Sequence, residues 1–198
     1  MIKAKPYLLS IAGHDPSSGA GLNADIKVFN ALQVHGLSVC TSITYQSEDL
    51  FLGVNWLNDD QVLQQLSGLS QRYSIAGIKF GLVPNLEMIL KCIEHFDNLG
   101  QKPFVIWDPI LKASSGFDFE HNLDHLNSVL SKIDLLTPNL LEYESISQHI
   151  KHIPCSYLLK GGHSEGEFSH DILHHQDKEL LFKGHKINYD KHGTGFVL

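Results

Sequence analysis

The chemistry open to this sequence sits in small-residue turns and in carboxylates that follow short apolar runs. Gly13-His14-Asp15-Pro16-Ser17-Ser18-Gly19-Ala20-Gly21 separates an apolar run from an amphipathic one, and so reads as a strand-to-helix loop whose unpaired N–H groups suit a polar or anionic ligand. It lacks the lysine of a Walker loop. Gly19-Ala20-Gly21-Leu22-Asn23-Ala24 formally matches a dinucleotide fingerprint, but six residues separate Ala12 from Gly19 where a tight turn is required. Asp25 falls early in the following helix, a place where the helix dipole favours a carboxylate even without a ligand. Gln46, just past the next apolar run, carries an amide able to donate to and accept from a heteroaromatic ring edge; a plain loop glutamine is the alternative.

Asp108 ends a short buried run before Pro109, and Asn139 and Glu142 follow another. Oxygen ligands from two neighbouring strand ends can converge there on Mg²⁺, partly through water. The same residues can equally cap a turn and a helix. Lys160-Gly161-Gly162-His163 places a lysine at a strand end, before glycines that let a phosphate approach. His192-Gly193-Thr194-Gly195 is a small-residue turn suited to opening a helix whose N–H groups stabilise negative charge. Among the 13 histidines, His170, His174 and His175 invite a metal reading, but no acidic partner has zinc-like spacing with them.

These residues need a scaffold, and the pattern supplies one. Short runs rich in β-branched residues alternate with longer runs spaced three and four apart, which predicts βαβ units around a parallel sheet. Strands are predicted at Tyr7 to Ala12, Leu37 to Tyr45, Ile75 to Phe80, Phe104 to Trp107, Ile133 to Thr137 and Tyr157 to Lys160. Helices are predicted from Ala20 to Val34 with Gly36 as the stop, from a cap at Asp59 or Asp60, from a first turn holding Pro84 to a close at Gly100, near Leu123 to Ser131, and after Pro138-Asn139. His170 to His175 and Glu179 to Tyr189 have no helix between them, so the sheet is expected to end in an antiparallel hairpin. In an open α/β sheet, ligands bind beyond the carboxyl ends of the strands, where the turns above fall.

Composition narrows the partners. With 15 Lys plus Arg against 22 Asp plus Glu, the net charge of -7 disfavours nucleic acid and anionic membranes. The N-terminal apolar stretch of about six residues is too short for an export signal or a membrane span. The 3 cysteines are an odd number at wide spacing, which fits a reducing cytoplasm.

Taken in order, the loop 12–21 with Asp25, Thr44-Tyr45-Gln46, Lys79-Phe80-Gly81, Trp107-Asp108-Pro109, Thr137-Pro138-Asn139-Leu140-Leu141-Glu142, Lys160-Gly161-Gly162-His163 and His192-Gly193-Thr194-Gly195 resemble the hydroxymethylpyrimidine/phosphomethylpyrimidine kinases. The resemblance implies a single ribokinase-like domain over residues 1–198, a three-layer α/β sandwich with a mostly parallel sheet and an antiparallel edge hairpin. It implies ATP-dependent phosphorylation of 4-amino-5-hydroxymethyl-2-methylpyrimidine and of its monophosphate in thiamine biosynthesis. Gly13, Ala20, Asp25, Gln46, Leu82 and Ile110 would then surround the pyrimidine, with Asp25 near the hydroxymethyl group and Gln46 at the ring edge. Asp108, Asn139 and Glu142 would organise Mg²⁺, Lys160 and Thr194 would meet ATP, and Gly193, Thr194 and Gly195 would form an anion hole. A homodimer is compatible with it.

The sequence also departs from that family. Phe196 stands where its members usually carry cysteine after Gly-Thr-Gly, and the C-terminal helices that complete the nucleotide pocket are expected to be lacking. Binding of the pyrimidine is therefore expected to survive better than its phosphorylation. A pyridoxal-type kinase, a noncatalytic pyrimidine-binding protein and a dinucleotide-binding oxidoreductase are the alternatives.

Overall fold

The computed structural model of the protein describes residues 5–111, 123–161 and 168–185. In chain order its elements are β1 (Tyr7–His14), α1 (Gly21–Ala31), β2 (His35–Gln46), β3 (Phe51–Trp56), α2 (Asp59–Ser70), β4 (Ile75–Phe80) and α3 (Leu86–Asn98). There follow β5 (Phe104–Trp107), α4 (Leu126–Leu130), β6 (Leu135–Leu136), α5 (Leu140–Ser147), β7 (Ser156–Leu159), β8 (Phe168–His175) and β9 (Lys178–His185). The strands form one sheet in the order β3-β2-β1-β4-β5-β6-β7-β8-β9. From β2 to β7 the neighbours are parallel, whereas β3 at one edge and the β8–β9 hairpin at the other run antiparallel. The α/β sandwich and its edge hairpin are thus as expected.

Alternation along the strands assigns the two faces. Leu9, Ile11, Val39, Ile78 and Phe80 form one buried cluster with Val62 and Leu66 of α2 and with Met88, Ile89 and Phe96 of α3. The residues between them, Ser10 of β1 and Lys79 of β4, instead bond to Asp25 of α1. Helix α1 therefore covers the opposite face, through Leu22, Ala24 and Phe29.

Several boundaries differ from the sequence reading, each for a local reason. Helix α1 stops at Ala31, because Gln33 takes a left-handed φ of 59°. Gly36 is not its stop but lies inside β2, where a Cβ would come within 2.8 Å of Phe29 and 2.9 Å of Ile26, so its missing side chain lets α1 sit close to the sheet. The cap of α2 is Asn58 rather than either aspartate, since Asn58 and Gln61 form a reciprocal capping box. Pro84 precedes α3 instead of opening it; Asn85 is the cap, accepting from the Met88 N–H. Gly100 does close α3, with φ of 67°. Strand β3 was not foreseen: Phe51–Trp56 turns back after a short polar turn and pairs with the end of β2. No helix among the described residues is long and apolar enough to cross a membrane.

This placement of the core gives a stability test. Phe96, 1% exposed in the α2–α3 cluster, should cost about 3–5 kcal/mol on change to Ala. Leu52→Ala, at a side chain 73% exposed on β3, should stay within about 0.5 kcal/mol of the unaltered protein in urea unfolding.

Candidate active site

Because β1, β4, β5, β6 and β7 are parallel, their carboxyl ends and the amino ends of α1 and α5 meet at one edge of the sheet. The loop after β1 is held together by Asp15, which is 2% exposed. Its carboxylate accepts from Ser17 N–H at 2.8 Å, from the Ser17 hydroxyl, and from Ala20 N–H at 2.8 Å. The Ser18 N–H donates to the Asp15 carbonyl at 3.1 Å. These three N–H groups are consumed within the loop. The helix start that follows them has no side-chain cap. Gly21 completes the closure: its φ is 59°, and a Cβ there would collide with the Gly13 carbonyl oxygen.

Gly13 follows an irregularity in the β1–β2 register. A side chain on it would meet Ser42 Oγ at 2.6 Å and Leu82 at 3.2 Å, so Gly13 and Leu82 lie together. Ser42 Oγ is buried without a hydrogen-bond partner. Gly81 brings in Ile110, since its Cβ would lie 3.0 Å from Ala12 and 3.9 Å from Ile110. Gln46 closes β2, the strand that pairs with β1. It is half-buried at the end of β2, its side-chain amide has no hydrogen-bond partner among the described residues, and it borders an open cavity of about 530 Å³. His14, Pro16, Tyr45 and Leu52 share that cavity, whereas Gly13, Ala20, Asp25, Leu82 and Ile110 do not line it. The Thr44 hydroxyl donates to the His14 carbonyl at 2.9 Å and ties the two strand ends.

Asp25 is 4% exposed. Its carboxylate accepts from Ser10 Oγ and from Lys79 Nζ, each at 2.5 Å. Neither partner was singled out from sequence, although a lysine in the otherwise apolar run Ile75–Phe80 is a signal that it has a buried counter-charge.

The remaining residues gather at the ends of β5, β6 and β7. Asp108, 2% exposed, accepts from Lys160 Nζ at 2.8 Å and from Thr137 Oγ1 at 3.4 Å. Asn139 pairs with Lys160 across the strand ends and caps α5. Its side-chain oxygen accepts from Glu142 N–H at 2.9 Å, and Glu142 Oε2 accepts from Asn139 N–H at 2.8 Å. The capping alternative raised for Asn139 is thus realised, and it brings Glu142 toward Asp108 and Lys160. Burial pushes the Glu142 carboxyl up to about 7; the Lys160 cation and the Asn139 N–H pull it down, and the Asp108 charge adds to the rise. Gly193, Thr194, Gly195 and Phe196 lie outside the described residues. His174 is engaged by Glu179 and His175 by Ser156. Among the described residues no three His, Cys, Asp or Glu side chains are grouped to hold a metal ion on their own.

Glu142 fixes the sign of a pH effect. Its folded-state value lies above the ordinary 4.5, so the native protein holds a proton that the unfolded chain has released between 4.5 and about 7. The resulting stabilisation is present below pH 4.5 and is lost as pH rises toward 7, by an amount on the order of 3 kcal/mol. Glu142→Gln keeps a residue suited to the capping box and should flatten this part of the stability-against-pH curve, measured by urea unfolding.

The family model described as phosphomethylpyrimidine kinase matches residues 15–198. A hydroxymethylpyrimidine/phosphomethylpyrimidine kinase from Aquifex aeolicus is 32% identical over 208 residues, covering 96% of this chain and 81% of that protein. Among solved structures, a phosphomethylpyrimidine kinase from Clostridium difficile superposes with a TM-score of 0.72 at 28% identity, over 90% of this chain and 84% of its own. A Bacillus subtilis pyridoxal kinase solved as an ADP complex reaches a TM-score of 0.80 at 21% identity, over 98% and 80%, which speaks to the shared fold alone. With the match extending over nearly its whole length, the chain belongs to the phosphomethylpyrimidine kinase family.

Proposed function

We propose that the protein phosphorylates 4-amino-5-hydroxymethyl-2-methylpyrimidine and its monophosphate from Mg·ATP in thiamine biosynthesis, as its relatives are named to do. The observation that carries this reading is the cluster at the ends of β5, β6 and β7. A lysine 2.8 Å from a buried aspartate, with a second buried carboxyl beside them, stands at the sheet edge that also holds the loop 13–21.

Each transfer forms one P–O bond to the acceptor oxygen and breaks the bond to the leaving ADP; the hydroxymethyl oxygen of the first gives up its proton to solvent, whereas the phosphate oxygen of the second is already ionised near neutral pH. Such reactions need positioning and charge compensation more than covalent chemistry. Lys160 is suited to the phosphates because it is a point charge at a strand end, already 88% withdrawn from solvent by a side-chain exposure of 12%. Asp108, Glu142 and Asn139 fit Mg²⁺ as oxygen donors; this ion is commonly held by one or two carboxylates with water and phosphate, so it needs no larger acidic cluster than the described residues provide. When bound, it would offset charge on the transferring phosphate. To serve it, Glu142 must release the proton that burial favours.

On the substrate side, Gly13, Ala20, Asp25, Leu82 and Ile110 are assigned to the pyrimidine with Gln46, whose amide is open toward a cavity. Gly193, Thr194 and Gly195 keep the anion-hole role that the resemblance gives them, and Thr194 the ATP contact. The free cysteines Cys40, Cys92 and Cys155 suit a reducing compartment such as the cytoplasm.

The reading is tested by ADP release from Mg·ATP with the hydroxymethylpyrimidine, and with pyridoxal in parallel. Pyrimidine-dependent turnover is expected; turnover with pyridoxal alone would replace the assignment by the pyridoxal-type alternative, and none with either would leave a binding protein. In calorimetry Gln46→Ala should weaken pyrimidine binding by about 1–3 kcal/mol, and an unchanged affinity would take Gln46 out of the site.

A further inference from the structure

Lys79 is a charged residue inside a strand whose neighbours Ile78 and Phe80 are 2% and 0% exposed. Its ammonium reaches past β1 to Asp25 on α1, at 2.5 Å, and Ser10 of β1 donates to the other carboxylate oxygen at 2.5 Å. One contact therefore links β4, β1 and α1. The side chains are 14% and 4% exposed, so neither charge is well served by water and each gains from the other.

Two further observations say what this link is for. Helix α1 has no cap of its own: Ala20 occupies the N-cap with no side-chain hydrogen bond, and the first turn holds no acidic residue. Asn23 ties this start to the loop, donating to the Asp15 carbonyl at 3.0 Å and to Ser18 Oγ at 3.1 Å, and Asp25, one turn in, ties it by a charge to the sheet. Moreover, by strand alternation the positions beyond Ser10 and Lys79 toward the site edge are Ala12 and Gly81. A Cβ on Gly81 would already lie 3.0 Å from Ala12 and 3.9 Å from Ile110. The ion pair thus lies below a floor of small residues, Ala12 and Gly81, with Ile110 beside it.

We propose that Lys79 is a positioning residue for the substrate site: it fixes Asp25, and through Asp25 the first turn of α1, over the floor made by Ala12 and Gly81. The effect on substrate rests on the kinase reading above; the effect on α1 does not.

The test uses Lys79→Met, Lys79→Arg and the paired variant Lys79→Met with Asp25→Leu, which leaves no charge buried and is compatible with a stable core. Calorimetry with the hydroxymethylpyrimidine should show Lys79→Met binding about 10- to 100-fold more weakly, while the KM for ATP moves by no more than about twofold. Lys79→Arg, which keeps the charge, should recover most of the affinity. Amide hydrogen exchange should rise about tenfold or more at residues 19–23 in Lys79→Met and in the paired variant, with residues 88–96 of α3 unchanged. Should Lys79→Met not fold, the paired variant carries the exchange measurement and Lys79→Gln the affinity measurement. Native-like exchange at residues 19–23 in a folded variant overturns the proposal, as does an equal rise in α1 and α3, which marks the pair as general stabilisation. Pyrimidine affinity untouched by loss of Lys79 overturns its substrate half. If the unaltered protein binds no pyrimidine, the kinase reading falls, and the exchange comparison still decides the role of Lys79.

Discussion

A carboxylate removed from water must be compensated, and the arrangement of this molecule follows from how it compensates Asp15, Asp25, Asp108 and Glu142, its buried acidic residues among those described. Each solution joins separate elements. Asp15 uses backbone N–H groups and a hydroxyl, and by doing so shapes the loop that enters α1. Asp25 uses Lys79 and Ser10 and joins helix to sheet. Asp108 uses Lys160, joining the end of β5 to the end of β7 across β6. Glu142 has a capping N–H and a neighbouring cation, which do not outweigh burial, and so leans toward its neutral form.

The parallel sheet makes these solutions a site rather than scattered repairs. Crossover connections return every parallel strand in the same sense, so loops that follow different strands are brought to one edge whatever their distance in sequence. Asp108 and Lys160 are 52 residues apart, yet the register between β5, β6 and β7 leaves their side chains in contact. Asn139 lies between them because α5 starts directly after β6 and needs a cap.

How much of this was legible depended on whether a residue acts through its own type or through its surroundings. The parallel strands showed as apolar runs, and Ile75–Phe80 and Phe104–Trp107 carry the boundaries read from sequence. Asp108, Asn139, Glu142 and Lys160 were legible as polar residues at strand ends, but turn and cap readings fitted them equally and only the resemblance to the kinase family gave them a shared role. Strand β3 was not, since Phe51–Trp56 is short, interrupted by Gly53 at φ 158°, and gains its identity only by pairing with β2. The closed state of the loop 13–21 was equally hidden: its glycines announce a turn, but only the fold shows that Asp15 satisfies the turn from within. The role of Lys79 does not show in sequence, because Asp25 is 54 residues away on another layer.

The two lysine–aspartate pairs invite comparison, and solvent exposure does not separate them: 14% and 4% for Lys79 and Asp25 against 12% and 2% for Lys160 and Asp108. Position and bonding do. Lys79 and Ser10 lie within their strands, and both oxygens of Asp25 are bonded inward, so exchanging either partner would mean parting α1 from the sheet. Asp108 and Lys160 each lie just past the last residue of a strand, and the contacts at 2.8 and 3.4 Å are both to Asp108 Oδ1. In the proposed function Lys160 would serve a phosphate and Asp108 a cation at that edge, where neither belongs to the pairing that joins the layers of the fold. The same chemical pair thus lies within the strands in one place and just past their ends in the other.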